Sequence, residues 1–305
     1  ATLAVGLGTF AGKDSEESGQ HFYKSRRCSH RAIVRCDSMP WLPRQRNPEV
    51  LEILLVRHGE SENNVIMRDV YAEHRLLKSD EQTRERAWLA ARKDDPGLSA
   101  KGLQQAETFA LMYADDLKAR GCVVYCSPFL RTLQTAKPLA DAMSSQNVVV
   151  RSDLFEVGGV YTVAPGGLRG GPGKCLSAHD VVLKFPGYDV SQLPATGQWY
   201  TGDWETDAEA RVRLAAVARW LRSQELRQEL NGKIMALLGN VDDSASDSPF
   251  ANNFEDRPCW FVAGNTATAR LTIKANGNTL IHSFNDDSHL RMAAVTSTGS
   301  SAVGG

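Results

Sequence analysis

The stretch that most constrains this chain runs Ile53-Leu54-Leu55-Val56 and then breaks at once into Arg57-His58-Gly59-Glu60-Ser61-Glu62-Asn63-Asn64. A short β-rich apolar run without polar alternation predicts a parallel strand buried on both faces. In open α/β sheets ligands bind beyond the carboxyl ends of the strands, so this strand would deliver Arg57 and His58 to a crevice. Gly59 lets backbone approach whatever sits there. A guanidinium fork matches phosphate oxygens in bidentate fashion, and a neutral imidazole beside it can attack phosphorus. Taken alone, the same residues also fit an ordinary strand end with a solvated Arg-His pair.

The rest of the chain alternates helix and strand signals. Leu103, Ala106, Ala110, Tyr113 and Leu117 recur at spacings of three and four, the stripe of an amphipathic helix. Ser99 stands at its N-cap position and Gly121 at its end. Residues 123–125 predict a second strand, followed by Cys126-Ser127-Pro128 and a helix carrying Arg131. Residues 148–150 read as a third strand, and the Gly- and Pro-rich segment 157–173 reads as a mobile loop. Ala210, Leu214, Val217 and Leu221 mark a last long helix that runs to about Glu229. Strands are expected at 259–262, 269–273 and 279–283. Residues 68–95 are a charged insertion, read as solvated helix rather than as a lid. The alternation predicts a three-layer α/β/α fold with a mostly parallel central sheet.

Taken in order, these motifs resemble the histidine phosphatase superfamily, the phosphoglycerate-mutase-like enzymes. The resemblance spans roughly 49–290 and rests on Arg57-His58-Gly59, Leu98-Ser99-Ala100-Lys101-Gly102-Leu103-Gln104-Gln105-Ala106, Ser127-Pro128-Phe129-Leu130-Arg131-Thr132-Leu133-Gln134-Thr135-Ala136, Leu154-Phe155-Glu156, Asn265-Thr266-Ala267 and residues 285–290. It implies that His58 is the nucleophile and forms a phosphohistidine. Arg57 and Arg131 would clamp the phosphoryl group, with an amide hydrogen bond from Asn64. Glu156 would protonate the leaving oxygen and then activate water. Without the resemblance, Arg131 also reads as a helix-surface charge, Asn64 as a helix cap and Glu156 as a solvated loop carboxylate. The implied chemistry needs no metal and no cofactor, because cationic side chains surround the phosphoryl oxygens. Its partner would be a small phosphate ester or another phosphorylated substrate, since all such molecules present the same terminal group.

One family element departs from the pattern. After the last long helix the family carries an apolar strand ending in Ser-His-Gly, which supplies a second catalytic histidine. Here the chain reads Asn231-Gly232-Lys233-Ile234-Met235-Ala236-Leu237-Leu238-Gly239-Asn240. Residues 232–234 read as the entry to that strand and residues 235–239 as the end of the helix that should follow it. The expectation is therefore a sheet lacking one strand, cut near the Ile234-Met235 junction by splicing, a gene-model error or degeneration of the copy. The remaining histidines are poor substitutes: His282 lacks a following glycine, His289 belongs to a motif read as structural, and His21, His30, His74 and His179 lie elsewhere. Losing one transition-state donor of this kind costs on the order of 100- to 1000-fold in rate.

Among 305 residues the net charge is −1, so no global field recruits nucleic acid or an acidic membrane, and no apolar run is long enough to span one. Six thinly spread cysteines without zinc-ligand spacing read as thiols in a reducing compartment. Residues 1–48 are expected to form an unstructured or transit-like extension. Lys24, Arg26, Arg27, Arg31 and Arg35 favour an organelle (plastid or mitochondrion), whereas Asp14, Glu16 and Glu17 favour a cytoplasmic protein. Residues 49–292 form the phosphoglycerate-mutase-like domain, and the Ser/Gly/Ala-rich 293–305 a flexible tail. The functional expectation is a phosphomonoester hydrolase acting through His58, slowed by the missing histidine. Its alternatives are mutase-like phosphoryl transfer and a non-catalytic phosphoester-binding or degenerate protein.

Overall fold

Strand β1 (Val50–Arg57) is the apolar run that opens the domain, and Ile53, Leu54 and Val56 are sealed within it. The computed structural model describes residues 49–144, 148–164, 167–239 and 264–299. The extension expected at 1–48 and the strand expected at 259–262 lie outside the described residues. After β1 come α1 (Glu62–Leu76), α2 (Glu81–Ala91), α3 (Ala100–Ala119), β2 (Val123–Cys126), α4 (Leu130–Met143) and β3 (Val148–Arg151). A hairpin of β4 (Tyr161–Ala164) and β5 (Leu168–Pro172) leads to α5 (Ala178–Lys184) and β6 (Tyr188–Gln192). The chain closes with α6 (Asp207–Leu221), α7 (Gln224–Leu230), β7 (Met235–Gly239), β8 (Thr268–Lys274), β9 (Thr279–Asp286) and α8 (Ser288–Gly299).

Seven strands make one sheet in the order β6-β3-β2-β7-β1-β8-β9. The pairs from β6 through β1 are parallel, and β8 and β9 add on antiparallel. On one face Leu51, Ile53, Met235, Leu237, Tyr125, Leu271 and Ile273 pack with Val217 and Leu221 of α6 and Leu226 and Leu230 of α7. Strand side chains alternate between faces, so Leu54, Val56, Ala236, Leu238 and Val124 face the other side, where α4 contacts β2 and β7 and packs against α3. The architecture is three-layered, as expected. Among the described residues no helix is long and apolar enough to cross a membrane.

The expectation of a missing strand is overturned. Met235–Gly239 is a strand, not a helix end, and it occupies the centre of the sheet. Its register runs Ile53↔Met235 to Arg57↔Gly239 on one side and Val123↔Met235 to Cys126↔Leu238 on the other. Met, Ala and Leu favour helix intrinsically, but that preference is worth only tenths of a kcal/mol per residue. Leaving β1 and β2 without ladder partners would cost more, because buried unpaired amides are expensive. The run is also short for a helix. It follows a turn in which Asn231 and Gly232 have φ of 47° and 74°, so helix α7 has already stopped. A Ser223 N-cap restarts that helix after α6, which breaks the single long helix expected there.

Other differences are smaller. The 157–173 segment is not one irregular loop but carries the β4–β5 hairpin, paired Val163↔Arg169 and Ala164↔Leu168. Leu103, placed on the buried stripe of α3, is exposed, whereas Ala106, Ala110, Tyr113 and Leu117 are buried. Helix α8 extends through Gly299, into the segment read as a tail. Edge strand β6 had no counterpart among the expected strands. The insertion covers the later part of α1 and all of α2, whose residues are exposed or half-buried apart from Leu89.

Leu238 is fully buried in β7. Leu238→Ala should therefore cost about 2–5 kcal/mol of unfolding free energy, read from the shift of a urea midpoint. A loss within about 0.5 kcal/mol, usual for surface sites, would mean that this segment is not the central strand.

Candidate active site

The carboxyl end of β1 is held from three directions. The His58 amide donates to the Gly239 carbonyl of β7 (3.2 Å), and the Arg57 amide to the Ala267 carbonyl (3.1 Å). The His58 carbonyl accepts from the Thr266 amide (3.2 Å) and from Asn265 Nδ2 (3.3 Å). Thr266 sits at φ 55°, a region where a β-branched residue is strained. Such a position persists only where surrounding contacts fix it. Behind it, His289 is buried against the stacked rings of Phe109 and Tyr113, with Nε2 3.0 Å from Thr266 Oγ1. His289 thus buttresses the strand end from one residue away, consistent with its reading as a structural group.

Two glycines of the motifs meet at the floor of the site. A Cβ on Gly59 would fall 2.5 Å from the Gly102 carbonyl oxygen, and one on Gly102 would fall 2.0 Å from the Glu60 carbonyl oxygen. Backbone therefore stacks on backbone where β1 passes the start of α3. The Gly59 amide donates to Thr135 Oγ1 (3.0 Å), and that hydroxyl donates to the Arg131 carbonyl (2.7 Å). Thr135 ties the strand end to helix α4, and Gln105 Oε1 accepts from the Glu60 amide (2.8 Å). Neither residue was singled out in the sequence. Their presence within motif segments was the only signal.

Arg57, His58 and Arg131 are all buried, at 5%, 3% and 5% exposure. His58 Nδ1 lies 2.5 Å from the Gly59 carbonyl. A carbonyl only accepts, so Nδ1 carries the proton and Nε2 keeps its lone pair. Burial is the main force holding the imidazole well below its ordinary pKa, followed by the guanidinium charges of Arg131 and then Arg57; the Gly59 hydrogen bond opposes them. The result is a neutral imidazole beside two cations, the electronic state that nucleophilic attack on phosphorus requires.

Arg131 occupies the first turn of α4, its guanidinium 4.0 Å above the Phe129 ring. Its Nη2 donates to Glu156 Oε2 at 2.6 Å, so two of the expected residues, from separate elements, are in direct contact. Asp95 also bears on this arginine. Its Oδ1 accepts from the Leu130 amide (3.0 Å), and burial raises its carboxyl to about 6 against the opposing pull of Arg131. Asn64 stands at the third position of α1. Its Oδ1 accepts from the Ser61 amide (3.0 Å) and hydroxyl (3.1 Å), closing a capping box. Asn265 Nδ2 reaches the same oxygen (3.4 Å), linking Asn64 to the His58 carbonyl. The helix-cap reading of Asn64 is therefore realised, with its amide oxygen engaged.

The rim comes from the insertion and the hairpin. Arg92, just after α2, donates Nη1 to the Tyr161 carbonyl (2.9 Å) and lies 3.9 Å above the Tyr161 ring. Arg169 of β5 pairs with Glu85 of α2 at 3.2 Å, and the Lys174 amide donates to Asp94 Oδ2 (3.0 Å). At the opposite side β7 ends beside His58 and Ser127, whose amide donates to the Leu238 carbonyl (3.2 Å). The strand is in place, but its last residue is Gly239, and the sequence has no histidine between His179 and His282.

Residues 53–161 match the family described as histidine phosphatase superfamily (branch 1). That segment contains Arg57, His58, Asn64, Arg131 and Glu156 and ends before β7. No curated protein matches the chain. Among solved structures the chain is similar to phosphoserine phosphatase from Entamoeba histolytica in complex with 3-phosphoglyceric acid, at 19% identity over 79% of this chain and 99% of that one, with a TM-score of 0.42. It is similar to ecdysone phosphate phosphatase from Bombix mori in complex with tungstate, at 14% identity over 75% and 92%, TM-score 0.45. It is also similar to mycobacterial hydrolase 1, at 15% identity over 78% and 99%, TM-score 0.43.

In the unliganded protein His58 should stay uncharged well below pH 6.5, where a free imidazole is half protonated. Its folded pKa is depressed, so the folded state binds fewer protons than the unfolded chain in that range. The stability this group contributes is complete above about 6.5 and declines as the pH falls below it. NMR titration of the ring protons, assigned with His58→Ala, should show no inflection near 6.5 for His58. An inflection there or higher would show that burial and the guanidiniums do not act on the ring.

Proposed function

From the match of residues 53–161 to the histidine phosphatase superfamily, we propose that the chain belongs to it and hydrolyses phosphomonoesters through a phosphohistidine at His58. The observation that carries this reading is the buried neutral imidazole held beside Arg57 and Arg131. In the first step Nε2 attacks phosphorus in line, the N–P bond forms and the bond to the ester oxygen breaks. Arg57 and Arg131 bind the equatorial oxygens, where positive charge stabilises the transition state. Glu156 gives its proton to the departing oxygen. The ester's phosphate competes for the guanidinium that Glu156 now holds, and the proton that Glu156 passes on enters with the monoanionic ester. In the second step Glu156 takes a proton from water, the hydroxide oxygen attacks phosphorus, and the N–P bond breaks to release phosphate and the free imidazole.

Gly239 at the end of β7 favours a second reading, a phosphoester-binding protein without turnover. Among the described residues the end of β7 brings no second cationic side chain beside His58, and a missing donor costs on the order of 100- to 1000-fold. Hydrolysis slowed by that factor is still measurable against the uncatalysed reaction.

With a chromogenic aryl phosphate, the protein should turn over and His58→Ala should fall to background. Arg131→Lys, which removes the fork but keeps the charge, should lower kcat/KM about 10- to 100-fold, the equivalent of one charge-assisted hydrogen bond. Equal rates for the protein and His58→Ala would exclude the phosphohistidine. Vanadate raising the melting temperature without any turnover would instead establish the binding reading.

A further inference from the structure

Glu156 sits on the loop after β3, and both flanks of that loop are fastened to one buried ion pair. Arg213, on α6, grips Glu205 with two parallel bonds, Nε to Oε1 (2.7 Å) and Nη2 to Oε2 (2.6 Å). Its remaining nitrogen, Nη1, donates to the carbonyls of Asp153 (2.9 Å) and Phe155 (3.0 Å), just ahead of Glu156. The guanidinium plane also lies 3.7 Å from the Phe155 ring. On the other side of Glu156, the Glu205 amide donates to the Gly158 carbonyl (3.3 Å). The side chains of Arg213 and Glu205 are 12% and 8% exposed.

Stability alone is a weak reason for such a pair. Taking two charges out of water is costly, and apolar residues of similar volume often serve as well. Apolar residues cannot donate to two carbonyls in a fixed direction. Arg213 can, because its fork is rigid and presents donors on three nitrogens. The loop is confined from the far side too: a Cβ on Gly158 would lie 2.4 Å from the Trp204 ring, and one on Gly159 2.2 Å from Tyr200. Backbone on both sides of Glu156 is therefore immobilised while its side chain, about one third exposed, reaches Arg131.

The geometry points to Arg213 and Glu205 as positioning residues that set Glu156 for proton transfer to the leaving oxygen. This rests on the reading of Glu156 as the acid. A general acid works only within hydrogen-bond reach of the oxygen it protonates, and a shift of about 1 Å can cost on the order of 100-fold. The pair acts through the backbone and touches no substrate.

The test uses the full chain and two phosphate esters. An aryl phosphate leaves as a stabilised phenolate and needs little help from an acid; an alkyl phosphate leaves as an alkoxide and needs a proton. For Arg213→Lys and Glu205→Gln, kcat/KM on the alkyl ester should drop on the order of 100-fold, while kcat/KM on the aryl ester stays within about threefold, because kcat/KM ends at the phosphohistidine and excludes the water step common to both esters. Glu156→Gln should lose at least as much on the alkyl ester, and adding Arg213→Lys to it should cost nothing more there, as for residues acting through one group. If Arg213→Lys loses its cooperative melt, Glu205→Gln, which keeps the shape and hydrogen-bonding atoms, carries the comparison. Equal losses on both esters, or additive losses in the double variant, overturn the inference while leaving His58-dependent turnover intact. A wild-type chain no faster than His58→Ala overturns the phosphatase reading and the inference together.

Discussion

Strand β7 fills the gap between β1 and β2, and the ladder it completes sets the spacing of the whole site. The peptide that ends β7 accepts from the His58 amide on one side, and the peptide before it accepts from Ser127 on the other. Parallel strands stand about 4.8 Å apart, so this single strand fixes how far the Arg57-His58 end lies from the turn that launches α4 and Arg131. Two guanidiniums can converge beside one imidazole because two strand ends are held at that separation. Everything chemical in the molecule inherits its geometry from these backbone bonds.

Burial then converts geometry into reactivity. A surface imidazole between arginines would be screened by water and salt. Here the low exposure of all three side chains lets the cations act on the ring, and Nε2 is left unprotonated. The same burial raises Asp95, so the arginine clamp rests between a carboxylate and a group titrating near 6. Charge at the site is balanced by side chains from four separate segments, none adjacent in sequence.

Much of this was legible in the residues themselves. The apolar run into Arg57-His58-Gly59, the Ser99 cap and the strands at β2, β3, β8 and β9 follow from local pattern and turn chemistry. Met235–Gly239 did not, because its composition favours helix and only its neighbours' unmet ladder groups make it a strand. The hairpin in 157–173 was hidden by its Gly and Pro content. Arg131 and Glu156 meet in the structure, but Asp95 and Arg213 were invisible: each bonds a backbone group far away in sequence, and no spacing rule encodes such a contact. Asn64 shows the reverse, since a residue given a ligand role by resemblance also closes a helix by simple capping.

The contact between Gly59 and Gly102 has a consequence for how such a molecule can change over time. There backbone meets backbone, with no space for even a methyl group, so the floor beneath the imidazole admits no variation. The walls are different, for Arg92 on Tyr161 and Arg169 against Glu85 are meetings of long side chains that other pairs could replace. Change would therefore be confined to the insertion and the hairpin, while the floor beneath His58 stays fixed.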